Sequence, residues 1–164
     1  METDSRDANG IALRPCDGRD ADFLFALFVS VRRDEFAALN WPPSQLEPLL
    51  RVQFSAQSQS YAATCPQAAH EIICAEGEPV GRMITDNTAD AMILVDIALT
   101  PAWRGRGIGT TLVRELQAQC AVLRKPLRLH VAKTNRATRL YERLGFIPVG
   151  ETEVYRLMEW NPPS

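Results

Sequence analysis

The run Ala91–Leu99 is apolar on both of its alternating faces except at Asp96, and Thr100-Pro101 ends it. A run of that kind suits a central strand covered on both sides. A glycine-rich turn follows: Arg104-Gly105-Arg106-Gly107-Ile108-Gly109-Thr110. From about Gly107 to Leu123 the pattern is helical. Ile108, Leu112, Leu116 and Cys120 recur every four residues, and Val113 and Leu123 widen the stripe. A central strand, a tight turn and a one-sided helix in direct succession commit the chain to a mixed α/β layer structure.

The other segments fit around that unit. Residues 1–10 read as a flexible tail and 11–164 as one domain. Ile11–Arg14 is a short first strand. Asp20–Leu39 carries a helical stripe of Phe23, Leu24, Leu27, Phe28, Val31 and Phe36, whose Phe/Leu part over 23–28 reads as core rather than substrate pocket, and Trp41-Pro42-Pro43-Ser44 stops it. A second helix starts after Ser44, with Glu47 completing a capping box, and runs towards Tyr61. Glu71–Ala75 and Val80–Thr85 flank Glu76-Gly77-Glu78-Pro79 as a hairpin. Pro126 breaks the long helix, and Leu127–Val131 alternates as a strand. A short helix runs from about Asn135 to Leu144, with Gly145 at a left-handed cap. Phe146–Val149 and Glu153–Trp160 are the final strands.

Composition excludes several functions. With 164 residues, 46% apolar and 23% charged, the chain is ordinary globular material. Its longest apolar run, Phe23–Val29, is too short to span a bilayer. Met1–Gly10 lacks the basic start and apolar centre of a secretory signal. Cys16, Cys65, Cys74 and Cys120 are scattered, and only His70 and His130 accompany them. Neither a metal site nor a disulfide framework is expected, and a reducing cytoplasm is the simplest location. Residues 1–80 hold twelve acids and six bases, net −6, whereas 101–150 hold ten bases and two acids, net +8. The basic stretch favours an anionic ligand, or it is a solvated helix face. Nucleic acid fits poorly, because aromatics are not interleaved with these bases and the whole chain has a pI of about 5.7.

The glycine-rich turn points to the anion. Glycine lets backbone approach a ligand, and a helix start offers free N–H groups and a positive dipole end. Together these bind phosphate. A Walker loop needs a lysine that is absent here, and in the dinucleotide fingerprint the third glycine would come one residue later. Neither pattern fits.

The residues resemble instead the GNAT superfamily of N-acetyltransferases. Arg104, Gly107 and Gly109 match that family's coenzyme A signature, [Q/R]-x-x-G-x-[G/A], without a gap. Val95–Pro101 is similar to the family's fourth strand. Val131–Ala137 and Leu140–Phe146 resemble its second motif. The resemblance covers roughly residues 71–160. It implies a mixed, mostly antiparallel central sheet with helices on both faces, splayed between strands 4 and 5.

The resemblance also implies a reaction: acetyl transfer from acetyl-CoA, the cosubstrate, to a primary amine on a small molecule or peptide. No metal is required. The diphosphate would lie on Arg104, Gly105, Arg106, Gly107, Ile108, Gly109 and Thr110. The pantetheine arm would pair with backbone at Ile97, Ala98 and Leu99, near Asn135 and Ala137. Tyr141 matches the tyrosine that protonates the leaving thiolate; read alone, it is a tyrosine buried on an apolar helix face. Asn135 is also placed to cap the short helix. Asp96 is the candidate base, or else it and His130 form a buried structural pair; Glu71 and Glu35 are further candidates. Acceptor contacts fall to Arg32, Arg33, Asp34, Glu35, Trp41, Tyr61 and Tyr155. The acidic first half suggests a cationic amine. A homodimer is compatible with the family. The alternative is a catalytically silent CoA-binding module of the same fold.

Overall fold

The computed structural model describes residues 10–164, of Asp34 the backbone alone. The tail read over residues 1–10 lies, apart from Gly10, outside the described residues. Seven strands hydrogen-bond in the order β1-β2-β3-β4-β5-β7-β6, mostly antiparallel with a parallel β4–β5 pair. The chain divides into two compact units. One holds residues up to Met83 with Ala98–Arg104, and the other holds Ile84–Ile97 with Gly105–Ser164.

In the first unit, β1 (Ile11–Pro15) runs antiparallel to β2 (Ala69–Ala75), from Ile11↔Ala75 to Pro15↔Glu71. A short 3₁₀ turn leads from β1 into α1 (Ala21–Ala37). Asp20 fixes that corner. Its carboxylate accepts from Arg14 at 2.7 and 2.9 Å and from the Asp17 N–H at 2.9 Å. The Arg14 guanidinium, opposed by burial, holds the carboxyl down at about 2. A folded-state value below the unfolded one contributes stability above pH ~4, lost as pH falls through that folded value. Asp20→Asn should therefore cost about 2 kcal/mol at neutral pH and flatten the acid limb of a urea-midpoint profile.

α2 (Pro43–Thr64) begins at Pro43, one residue before the expected cap. Proline's fixed φ suits the first helical position. The Ser44–Glu47 capping box does not form, since Pro42 is the N-cap and makes no side-chain bond, while Glu47 lies 3.3 Å from Arg51 one turn on. Phe54 of α2 packs on the Phe25 and Phe28 rings, with centroids at 5.7 and 5.4 Å. Leu27, Phe28, Leu50, Ile72 and Ile73 form the core. β3 (Glu78–Asn87) follows a two-residue hairpin turn, Glu76-Gly77, both at positive φ as such a turn requires. Gly81 of β3 carries no side chain because there is no room for one. A Cβ there would collide with the Ala98 carbonyl oxygen and lie 2.8 Å from Leu99 Cδ2. Gly81→Val should cost about 3 kcal/mol, read as a lowered urea midpoint, because backbone cannot yield as a side chain can.

The second unit contains most of β4 (Met92–Leu99), then α3 (Ile108–Leu123), β5 (Leu127–Ala132), α4 (Ala137–Arg143), β6 (Ile147–Glu151) and β7 (Tyr155–Trp160). α3 buries Ile108, Leu112, Val113, Leu116 and Cys120, the stripe read from the sequence. Leu123 departs from it and is exposed, because the helix ends there, with Arg124 in the left-handed region. β5 pairs with β7 along its whole length, Leu127↔Trp160 to Ala132↔Tyr155. Among the described residues, no helix is long and apolar enough to cross a membrane.

Candidate active site

β4 and β5 run parallel only over Met92↔Leu127, Ile93↔Arg128 and Leu94↔Leu129. From Val95 onward β4 leaves that ladder, while β5 continues with β7 to Ala132. Burial changes at the same place. Met92 and Leu94 are buried, but Val95, Asp96, Ile97, Ala98 and Leu99 are only half-buried. The expectation of a strand covered on both sides therefore fails for its C-terminal half. The splay between strands 4 and 5 is present, and backbone amides along a strand edge are the groups that a peptide-like chain pairs with.

α3 begins beyond the end of β4. Its N-cap is Gly107, at φ 82° and ψ 4°, and the first intrahelical bond is from the Thr111 N–H to the Gly107 carbonyl at 3.0 Å. The N–H groups of Ile108, Gly109 and Thr110 precede that bond, as in the first turn of any helix. Among the described residues, no carboxylate sits in this turn and no side chain caps it. A helix start with open N–H groups is the kind of place where anions bind. Arg104 has a task the sequence did not reveal. Its Nε donates to the Leu99 carbonyl at 2.9 Å, bracing the turn against the end of β4.

α4 supplies the titratable side chain. Tyr141 is buried, at 5% exposure, with its ring edge-on to Phe146 at 5.6 Å. Burial, and next the charge of Asp96, push its phenol up to about 12. Asp96 thus acts on the electrostatics of Tyr141, within one unit. Asn135 stands one residue before the N-cap, Arg136, and its Oδ1 accepts from the N–H of Ala137, the first residue of α4, at 2.9 Å. The Gln117 amide on α3 donates to the Leu144 carbonyl at 2.8 Å and ties the two helices together. Gly145 has the expected left-handed φ, 91°, and Phe146 N–H bonds back to Tyr141 at 3.0 Å.

Residues 68–148, which include the splayed strand, the turn and Tyr141, match the family of acetyltransferase (GNAT) domains. Those residues form an acetyltransferase (GNAT) domain. Solved structures of the same fold include the PaiA N-acetyltransferase of Thermoplasma acidophilum in complex with coenzyme A, 18% identical, TM-score 0.69, over 92% of this chain and 98% of that one. PH1933 of Pyrococcus horikoshii is 16% identical, TM-score 0.71, over 94% and 99%. A histone acetyltransferase HPA2 and related acetyltransferase from Corynebacterium glutamicum is 23% identical, TM-score 0.62, over 93% and 96%. At such identities the likeness carries the fold. No curated protein matches the chain.

The remaining residues singled out for the acetyltransferase lie as follows. His130, on β5, is exposed, so it is not half of a buried pair with Asp96. Glu71 sits on β2 in the first unit, half-buried, and burial pushes its carboxyl up. Glu35 is exposed on α1, 3.9 Å from Arg32. Tyr155 starts β7 and is exposed; its N–H bonds to Thr152 Oγ1 at 2.9 Å. Trp41, between α1 and α2, lines a cavity of ≈ 830 Å³ in the first unit, together with Arg32 and Arg33. Phe25, Phe36, Asn40 and Leu46 also line it, and Phe25 lies within the 23–28 stripe expected in the core. Tyr61 lies elsewhere on α2, beneath Arg82 at 5.8 Å.

Proposed function

We propose that this domain transfers the acetyl group of acetyl-CoA to a primary amine by direct attack in a ternary complex. The observation that carries the reading is the ladder ending at Leu94↔Leu129, in the unit that also holds the α3 N-terminus, Asp96 and Tyr141. In this reading the pantetheine amides pair with backbone at Ile97, Ala98 and Leu99, as an added strand would. The diphosphate lies on Arg104, Gly105, Arg106 and Gly107 and on the first N–H groups of α3 (Ile108, Gly109 and Thr110). Asn135, its Oδ1 engaged by the Ala137 N–H, keeps its Nδ2 for the arm beside Ala137.

The amine lone pair attacks the thioester carbonyl carbon, and the C–S bond breaks. Asp96 takes the proton that the amine gives up, directly or through water. Tyr141 gives its proton to the departing thiolate and is reprotonated from solvent, leaving an amide and free coenzyme A. The phenol is high, so its proton moves only as negative charge builds on the departing sulfur. Residues 11–164 act as one domain in this reading, at work in the cytoplasm. A homodimer would suit the exposed Ile147, Val149 and Val154 of the β6–β7 segment, and sedimentation reads it directly.

Calorimetric titration with acetyl-CoA, followed by thiol release across an amine library, tests the whole reading. Absence of binding would end it. Asp96→Asn should lower kcat/KM about 100-fold with acetyl-CoA affinity kept. The same change should bring the Tyr141 phenol down, seen in an alkaline titration of tyrosinate absorbance. Undiminished turnover would remove Asp96 as the base.

A further inference from the structure

We infer that the cavity of the first unit takes an acceptor amine with an aromatic or aliphatic body and a carboxylate, the carboxylate held at Arg33 with Arg32 beside it. The inference rests on the acetyltransferase reading above and names its acceptor. The cavity, ≈ 830 Å³, is the size of a small-molecule site. Pro101 lines it, two residues past the end of β4, so it reaches the stretch of the first unit that contains Ala98 and Leu99. Phe25, Phe36, Trp41 and Leu46 make its walls apolar and aromatic.

Its charges are Arg32, Arg33 and Glu47. Glu47 is committed to Arg51 at 3.3 Å. Arg32 lies over the Phe28 ring at 4.8 Å, with Glu35 at 3.9 Å, the outer limit of an ion pair. Arg33 is exposed, and among the described residues no ion pair engages it. Among the described residues Arg33 is thus the lining charge left open to a ligand, although residues 1–80 carry a net −6. Local charge prevails, because salt screens contributions beyond ~8 Å. This acceptor differs from the cationic amine suggested by the acidic first half. Two guanidinium groups also disfavour an ammonium nearby, and a bound amine is pushed towards the neutral form that attacks. A guanidinium holds a carboxylate through paired, charge-assisted hydrogen bonds. A polycation meets repulsion at the same wall.

The test uses the full chain with acetyl-CoA and measures thiol release on phenylalanine and tryptophan, on their amides, and on spermidine. The acids should give the highest kcat/KM and spermidine the lowest. In Arg33→Gln the ratio of acid to amide kcat/KM should fall about 10-fold, the loss of one charge-assisted contact. A second arm needs no acetyl-CoA. N-Acetylphenylalanine should change the fluorescence of Trp41, with Trp41→Phe as the blank, and Arg33→Gln should weaken that binding. Amides or spermidine preferred over the acids, or an acid-to-amide ratio untouched by Arg33→Gln, overturns the inference while thiol release keeps the acetyltransferase reading. Acetyl-CoA binding with no acetylation of any acid overturns it as well. Failure of acetyl-CoA to bind sinks the underlying reading instead.

Discussion

Tyr141→Phe should lower kcat by about 100- to 10,000-fold while leaving the affinity for acetyl-CoA unchanged. The substitution removes one oxygen and keeps the ring, which sits edge-on to Phe146 in a buried position. Packing is thus preserved and the proton donor alone is lost. A structural tyrosine would give the opposite pattern, with stability changed and turnover intact. The split between kcat and cofactor affinity separates the two.

The same side chain makes a stability prediction with a definite sign. Its folded-state value, about 12, lies above the ordinary 10.0. The folded protein therefore holds this proton more tightly than the unfolded chain does. The associated stability is complete below pH ~10 and is lost as pH rises through the folded value, a change of about 3 kcal/mol. Tyr141→Phe has no such proton to lose. Urea midpoints across that alkaline range should fall more steeply for the natural chain than for the variant, and parallel curves would show that the phenol is not raised in the folded protein.

What the sequence discloses here is whatever local chemistry decides. The α3 stripe, the left-handed Gly145 and the Asn135 bond at the start of α4 each depend on a few adjacent residues, and each appears where the pattern places it. Features decided by a distant partner were not legible. A strand apolar on both faces looks the same whether its neighbour is another strand or a ligand, so the pattern of Ala91–Leu99 does not announce a ladder that stops at Leu94, and only the family resemblance implied the splay. On α1, Phe25 and Phe28 share one stripe, yet Phe28 is core and Phe25 faces the cavity; only the path of the following segment separates them. Glu47 fits a capping box by spacing, but Pro43 starts the helix first and Arg51 takes the carboxylate.

Gly107→Ile should weaken acetyl-CoA binding by at least about 100-fold, and Gly109→Ala should not. The two glycines do different work. Gly107 stands at φ 82°, and a Cβ there would meet nothing within 4 Å, so the variant folds. Its cost is conformational: a β-branched residue pays more than the ~1–2 kcal/mol of an ordinary residue in the left-handed region. Backbone rotation out of that region relieves the strain and re-aims the N–H groups that begin α3. Hydrogen bonds to a charged group contribute about 1.5–3 kcal/mol each, so misdirecting two of them suffices for the predicted loss. Gly109 lies inside the helix, and a Cβ there would touch Leu140 Cδ2 at an ordinary 3.8 Å. Alanine at that position should keep affinity and raise stability by about 0.5–1 kcal/mol, since glycine within a helix costs that much. Equal effects of the two substitutions on acetyl-CoA affinity would mean that the diphosphate is not held by the amides at the start of α3.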